Sequence, residues 1–162
     1  MIRALRSLHA ISSEFYKTWG FDPWDNFRWR EVSVINVLND NGWNALTTPG
    51  RSGSDFTSDS FAHGEIKTKL AGATHRFQWS RLNNPASMNT MMSTDCFVFA
   101  VFNRLDFHPQ CVWCVKDPEA VAELKALVVS RIPPVGSPRD TVCVTLKEVL
   151  EFRHEELGTA RF

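Results

Sequence analysis

The sequence PGRSGSDFTSDSFAHGEIKTK, residues 49–69, holds Asp55, Glu65, Lys67 and Lys69 within a short span behind a Pro-Gly turn. The alternation of Gly64 to Leu70 reads as a strand. Side chains alternate across a strand, so Glu65 and Lys67 share one face and Ile66 takes the other. Gly50 and Gly53 let the backbone before Asp55 come close to a ligand. Two carboxylates converging with one ammonium suit a hard divalent cation such as Mg²⁺, held through oxygen. The lysine is placed to steady or deprotonate a water, which together is equipment for phosphodiester hydrolysis. His63, two residues before Glu65, has two readings: a supporting or phosphate contact, or an exposed histidine. Lys69 continues the face of Lys67 as a candidate phosphate contact.

Upstream, Ile2, Leu5, Leu8, Ile11 and Phe15 recur at helical spacing, which predicts a helix over about 2–18. It packs on its own core or is presented to a second copy as a homodimer surface. Gly20 to Asn26 is a loop, and a second helix is expected from about Arg28 to Asn39, ended by Asn39-Asp40-Asn41-Gly42. Glu31 in its first turn either complements the helix dipole or reaches the metal site as a third carboxylate. Trp43–Thr48 reads as a strand and Asp55–Phe61 as extended chain.

Downstream, 71–85 reads as long and irregular with mixed basic and aromatic residues, and 86–93 as a short helix. Cys96–Phe102 (CFVFAVF) suits a strand buried on both faces, and Gln110–Lys116 reads as another. Asp117-Pro118-Glu119 opens a helix running to about Val129. Pro-rich 131–140 is a loop, Thr141–Thr145 a strand, and Thr145-Leu-Lys-Glu148 a capping box opening a short helix. This order predicts an α/β or α+β single domain, residues 1–162, with a central mixed β-sheet flanked by helices.

The 162 residues are 43% hydrophobic, with six tryptophans and twelve phenylalanines against one tyrosine, enough for a substantial core. Eighteen basic and eighteen acidic residues cancel, so a globally basic nucleic-acid binder is disfavoured but a local basic cleft is not. Between positions 51 and 81 five cations (Arg51, Lys67, Lys69, Arg76, Arg81) face three acids (Asp55, Asp59, Glu65). If Asp55 and Glu65 hold a metal, the remaining field there is positive. No apolar run reaches the length of a membrane span, and the first residues lack a signal-peptide pattern, so a soluble, cytoplasmic protein is expected. The four cysteines lie in or beside apolar runs, which favours reduced, packed thiols. Cys111 and Cys114 are three apart in a predicted strand, so they point to opposite faces and cannot chelate zinc together.

Asp55 followed by Glu65-Ile-Lys67, after a helix and a turn, resembles the signature of the PD-(D/E)xK nuclease superfamily, and within it the type II restriction endonucleases. The resemblance is closest over 49–103. It includes Pro49-Gly50-Arg51, Gly53, the separation of Asp55 from Glu65, the run from Phe77 through Asn84-Pro85, and Phe99-Ala100. The ending Gly158-Thr-Ala-Arg-Phe162 and the pair Asp25-Asn26 are also similar. The resemblance implies a restriction-endonuclease-like fold, Mg²⁺ on Asp55 and Glu65, and a water positioned by Lys67. It further implies double-stranded DNA as substrate, 5′-phosphate and 3′-hydroxyl products, and a homodimer matching a short palindrome. Asp25 would contact DNA, with Arg51, His75 and Arg76 at phosphates. Where the family carries histidines that read base edges, this chain has Ser80-Arg81-Leu82, followed by a matched Asn84. Arg81 could read guanine bidentately, contact a phosphate, or be solvated. Met91 takes the place of a tyrosine near a second metal position. Two rival expectations share the signature: a structure- or lesion-directed nuclease, and a DNA-binding module without activity.

Overall fold

The computed structural model describes residues 14, 17, 18, 28–48, 53–71, 76–102, 109–134, 137 and 140–159. In chain order these form α1 (Arg28–Asp40), β1 (Leu46–Thr47), β2 (Phe56–Thr57), β3 (Gly64–Leu70), β4 (Arg76–Ser80) and α2 (Pro85–Ser93). There follow β5 (Cys96–Phe102), β6 (Pro109–Val115), α3 (Pro118–Ser130), β7 (Thr141–Thr145), α4 (Leu146–Glu151) and β8 (Glu155–Leu157). The protein is mixed α/β, as the alternation of element types predicts. The predicted helix over 2–18, and with it the homodimer surface, lies almost wholly outside the described residues.

Six strands form one mixed sheet in the order β1-β2-β3-β5-β6-β8, and β4 with β7 forms a second, two-stranded sheet. β3 and β5 run parallel, with Glu65 beside Phe97 and Lys67 beside Phe99; β5 and β6 are antiparallel. All seven residues of β5 are buried, as expected of an apolar strand with both faces covered. Phe97, Phe99 and Val101 enter one core with Phe77, Trp79, Trp113 and the apolar face of α3. Cys96, Val98, Ala100 and Phe102 enter a second core with Val34, Ile35 and Leu38 of α1 and with Phe56 and Ile66. Each fully buried phenylalanine contributes about 1.5–3 kcal/mol, so β5 is the strongest anchor for its neighbour β3.

Local signals set the ends of the helices. Gly42 at φ +80° turns the chain out of α1, and the Asn39 amide donates to the Ala45 carbonyl at 3.0 Å. Asp117 accepts from the amides of Glu119 and Ala120 at 3.1 and 3.3 Å with Pro118 at the first helical position. Thr145 and Glu148 form the predicted reciprocal cap of α4.

Four sequence expectations change. Segment 71–85 is not irregular throughout: Arg76–Ser80 is β4, with Phe77 and Trp79 buried and Arg76, Gln78 and Ser80 exposed, paired along its length with β7. Its period-two pattern is only two aromatics long and depends on a partner more than sixty residues away. The strand expected over Trp43–Thr48 shrinks to Leu46–Thr47. Extended chain after Asp55 ends at Thr57 because Ser58 and Phe61 exchange backbone hydrogen bonds at 2.8 and 3.4 Å, closing a turn. β8 escapes sequence reading because Glu155 and Glu156 are exposed and only Leu157 is buried. No helix among the described residues is long and apolar enough to cross a membrane.

Candidate active site

The register of β2 against β3 builds the site. Phe56 pairs with Gly64 in antiparallel fashion, so continuing that ladder one step sets Asp55 across from Glu65, on the same face. The Phe56 ring occupies the space beside Gly64: a Cβ there would lie 2.2 Å from it. Only glycine permits this approach, which draws the Asp55 backbone onto β3. The Asp55 amide donates to the Gly64 carbonyl at 2.8 Å, and the Asp55 carboxylate accepts from the Ile66 amide at 2.7 Å. Ile66 points the other way into the core beside α1.

Lys67 forms an ion pair with Glu65, and its ammonium lies 5.5 Å from the centroid of the Trp79 ring, within cation–π range. Trp79 is held edge-on to both Phe97 and Phe99, each at 6.2 Å between centroids. Burial raises the Asp55 pKa from 3.8 to about 7; the Glu65 charge adds to the rise, and Lys67 opposes it. Glu31, half-buried in the first turn of α1, also pushes the Asp55 pKa upward. The Ile66 amide pulls the other way, with the smallest effect.

Asp55, Glu65 and Lys67 line a cavity of about 400 Å³ together with Trp79, Ser80, Arg81 and Asn84. The two groups of residues are separate in sequence, yet β3 and β4 bring them to one cleft. Arg81 has φ +60°, a left-handed conformation uncommon for a long side chain. Its amide donates to the Asp140 carbonyl at 3.1 Å, and its carbonyl accepts from the Asn84 amide at 2.9 Å. Leu82 is buried and anchors the segment. The Asn84 side-chain oxygen accepts from the Ala86 amide at 2.9 Å as the cap of α2, so one end of that amide is already engaged.

Other candidates lie elsewhere. Lys69 is buried on the same strand, and Arg76 is exposed at the start of β4; neither lines this cavity. His63 is exposed just before β3, held through its backbone. Asp25, Arg51 and His75 lie outside the described residues. Sequence reading missed Trp79, Ser87 and Thr90 on the cavity wall, because nothing marks neutral residues as functional before their neighbours are known. It also missed Asp95, whose carboxylate accepts from the amides of Ala62 and His63 at 3.0 and 3.1 Å. The Asp95 amide donates back to the His63 carbonyl at 2.9 Å, so Asp95 fixes the loop that delivers Gly64 and Glu65.

A larger cavity, about 650 Å³, opens on the α1 side of the sheet, between Trp43, Phe61, Lys116 and Arg153. Its charges are paired off, Lys116 with Glu155 and Arg153 with Asp117, whereas in the smaller cleft Asp55 forms no ion pair among the described residues. Cys114 is buried in the core on that side while Cys111 packs against the opposite core, the divergence expected from their spacing. Burial raises the Cys96 thiol pKa to about 12 and raises that of Cys114 too, which suits packing rather than thiolate chemistry.

Among the described residues no group of three or more His, Cys, Asp or Glu side chains converges as a metal cluster. The donor set of Asp55 and Glu65 nevertheless fits Mg²⁺, which usually takes one or two carboxylates and completes its shell with water and substrate phosphate. Of the two carboxylates only Glu65 has a lysine partner, which leaves Asp55 open to a cation. No protein-family model matches this chain, and no curated protein matches it in sequence.

Proposed function

We propose that this protein is a Mg²⁺-dependent type II restriction endonuclease that hydrolyses phosphodiester bonds in double-stranded DNA as a homodimer at a short palindrome. The observation that carries the reading is the convergence of Asp55, Glu65 and Lys67 in one cleft whose far wall is Ser80, Arg81 and Asn84. The first group is equipped for chemistry, and the second reaches outward with hydrogen-bonding side chains. The PD-(D/E)xK resemblance supports the same division.

Asp55 and Glu65 would hold the ion, which when bound supplies Lewis-acid stabilisation of phosphate charge and acidifies a water. Lys67 donates hydrogen bonds to the attacking water and to a non-bridging phosphate oxygen, fixing both for in-line attack. The water oxygen bonds to phosphorus and releases a proton to solvent as the P–O3′ bond breaks, and the departing O3′ takes a proton from a solvent water, leaving a 3′-hydroxyl and a 5′-phosphate. Trp79 restrains the Lys67 ammonium from one side and excludes water there. Arg81 projects donors suited to the O6 and N7 of guanine.

Incubating the purified protein with long duplex DNA and Mg²⁺ tests the reading. Discrete fragments that disappear in Asp55→Asn and Lys67→Met are expected, and sequencing their ends gives site and cut position. Cleavage undiminished in both variants refutes the assigned residues. Cleavage governed by branched or damaged structure points to a structure-directed nuclease, and binding without cleavage to an inactive module.

A further inference from the structure

Trp79 is 2% exposed, and its indole Nε1 is covered and has no hydrogen-bond partner among the described residues. An indole N–H can only donate. Left unmet in the folded protein, it forfeits the bond it makes to water in the unfolded chain, and few buried polar groups of a native protein are left in this state. The core does not call for one here. Phe77, two residues earlier on the same face of β4, packs on Phe99 with ring centroids 4.8 Å apart and carries no polar side-chain atom. Trp79 meets the same Phe99, and Phe97, edge-on, contacts within the repertoire of any aromatic ring. What the indole adds is size and the N–H.

Trp79 also stands where this core meets the cleft, lining the cavity beside Asp55, Glu65, Lys67 and Arg81. The charged groups around it leave its N–H unserved. Lys67 and Arg81 are donors themselves; the Glu65 carboxylate accepts from Lys67, and that of Asp55 from the Ile66 amide. The Lys67 ammonium lies over the ring, 5.5 Å from its centroid, whereas the N–H lies in the ring plane, so the two contacts do not compete. One oxygen accepting from two donors at about 2.9 Å each spans up to about 6 Å between them, the scale of that separation. An anionic oxygen entering the cleft can therefore take both.

We infer that Trp79 is a further substrate-binding residue, whose indole N–H donates to a non-bridging oxygen of the DNA phosphate that Lys67 positions. The inference rests on the nuclease reading and deepens it. In the free protein Lys67 closes on Glu65; as the phosphate enters, the ammonium turns to it, and the oxygen that follows reaches the indole edge. The face of the ring then holds the lysine and its edge holds the phosphate, which fixes one against the other.

The N–H itself gives the readout. Protein labelled with ¹⁵N at its six tryptophans is titrated with a duplex carrying the cut site read from the sequenced ends. Ca²⁺ replaces Mg²⁺ as the oxygen-bound ion, and a gel checks that the DNA stays intact. Benzothienylalanine at position 79 keeps the bicyclic shape, puts sulfur in place of the N–H, and assigns the Trp79 signal by its absence; Trp79→Phe does the same if that variant does not fold. The expected result is a downfield shift and slower solvent exchange of the Trp79 N–H at saturation, with Trp113 in the core unmoved. The benzothienyl protein should bind the duplex about tenfold or more weakly, the loss of one hydrogen bond to a charged acceptor, and should melt no lower than wild type, since it lacks the unmet donor. A Trp79 signal unmoved by bound duplex overturns the inference, as does undiminished affinity of the benzothienyl protein. A lower melting temperature of that protein without DNA shows that the N–H already has a partner in the free state, and overturns it too. If wild-type protein yields no cut site at all, the nuclease reading falls and this inference with it, a failure distinct from the others.

Discussion

Replacing Asp55 with asparagine should stabilise the metal-free protein above neutral pH and abolish its response to Mg²⁺. Asp55 is forced against Glu65 in a buried setting, which raises its pKa from 3.8 to about 7. Within that window the folded protein holds a proton on Asp55 that the unfolded chain has already released. Stability from this group is therefore fully present below the unfolded value of 3.8 and is lost as pH rises through about 7. A shift of that size corresponds to about 4 kcal/mol when Asp55 is fully ionised, an upper bound because Lys67 and solvent relax around the charge. Asparagine keeps an oxygen for the Ile66 amide and removes the charge. Thermal unfolding by circular dichroism from pH 5 to pH 9 in chelator should show the wild-type curve falling relative to the variant up to about pH 7 and holding a constant offset above it. The gap should approach 10 °C, at ~2–4 °C per kcal/mol for a chain of this size. Adding Mg²⁺ should raise the wild-type melting temperature at high pH and leave the variant unmoved, because the ion replaces the missing proton. A variant less stable than wild type in chelator at high pH, with no Mg²⁺ response in wild type, would refute the claim that Asp55 and Glu65 form a strained pair awaiting a cation.

Gly64→Ala should cost about 1–3 kcal/mol by overpacking against the Phe56 ring, and Phe56→Leu in the same chain should recover part of it; urea unfolding measures both. Arg81→Gly should leave stability within about 1 kcal/mol, since relief of the left-handed backbone is offset by greater freedom of the unfolded chain. DNA cleavage by that variant should fall at least tenfold, and full retained activity would show that the cavity wall does not touch substrate. Asp95→Ala removes the carboxylate that holds the amides of Ala62 and His63. It should lower kcat more than it raises KM, with a loss of about 1–2 kcal/mol in stability, because the loop that delivers Glu65 loosens while the DNA-facing wall is untouched.

The parts of this fold legible in the sequence are those whose signals are local. Asp117-Pro118 and Thr145–Glu148 specify helix starts within a few residues, and the run Cys96–Phe102 can satisfy its apolar side chains only between two layers. Gly64–Leu70 is legible because its charges sit on one face. β4 is not, because Phe77 and Trp79 signal a strand only once Val142 and Val144 of β7 lie opposite them. The site divides the same way. The types of Asp55, Glu65 and Lys67 state a chemistry, but their convergence depends on the Phe56–Gly64 pairing, which periodicity does not encode. Met91, read as a substitution near a second metal position, is a buried residue of the cavity wall, so it contributes shape there and a weak sulfur acceptor at most.

That pairing also explains why β2 is short. A longer β2 would pair Ser54 and Gly53 with the outer edge of β3, engaging the Ile66 amide in a backbone ladder and closing the edge over Lys67. The chain instead leaves the ladder at Asp55, and the carboxylate takes the Ile66 amide that a strand partner would have used. The exchange keeps one hydrogen bond and replaces a neutral acceptor with a charged one directly across from Glu65. Like charges opposite one another destabilise a sheet, so the arrangement lowers stability locally. The seven-residue core strand β5 beside β3, buried on both faces, supplies the rigidity that tolerates it. The strained carboxylate pair and the left-handed Arg81 both line the cleft between β3 and β4. Their concentration there, flanked by conventionally packed cores on both faces of the sheet, is the feature on which the proposed site rests.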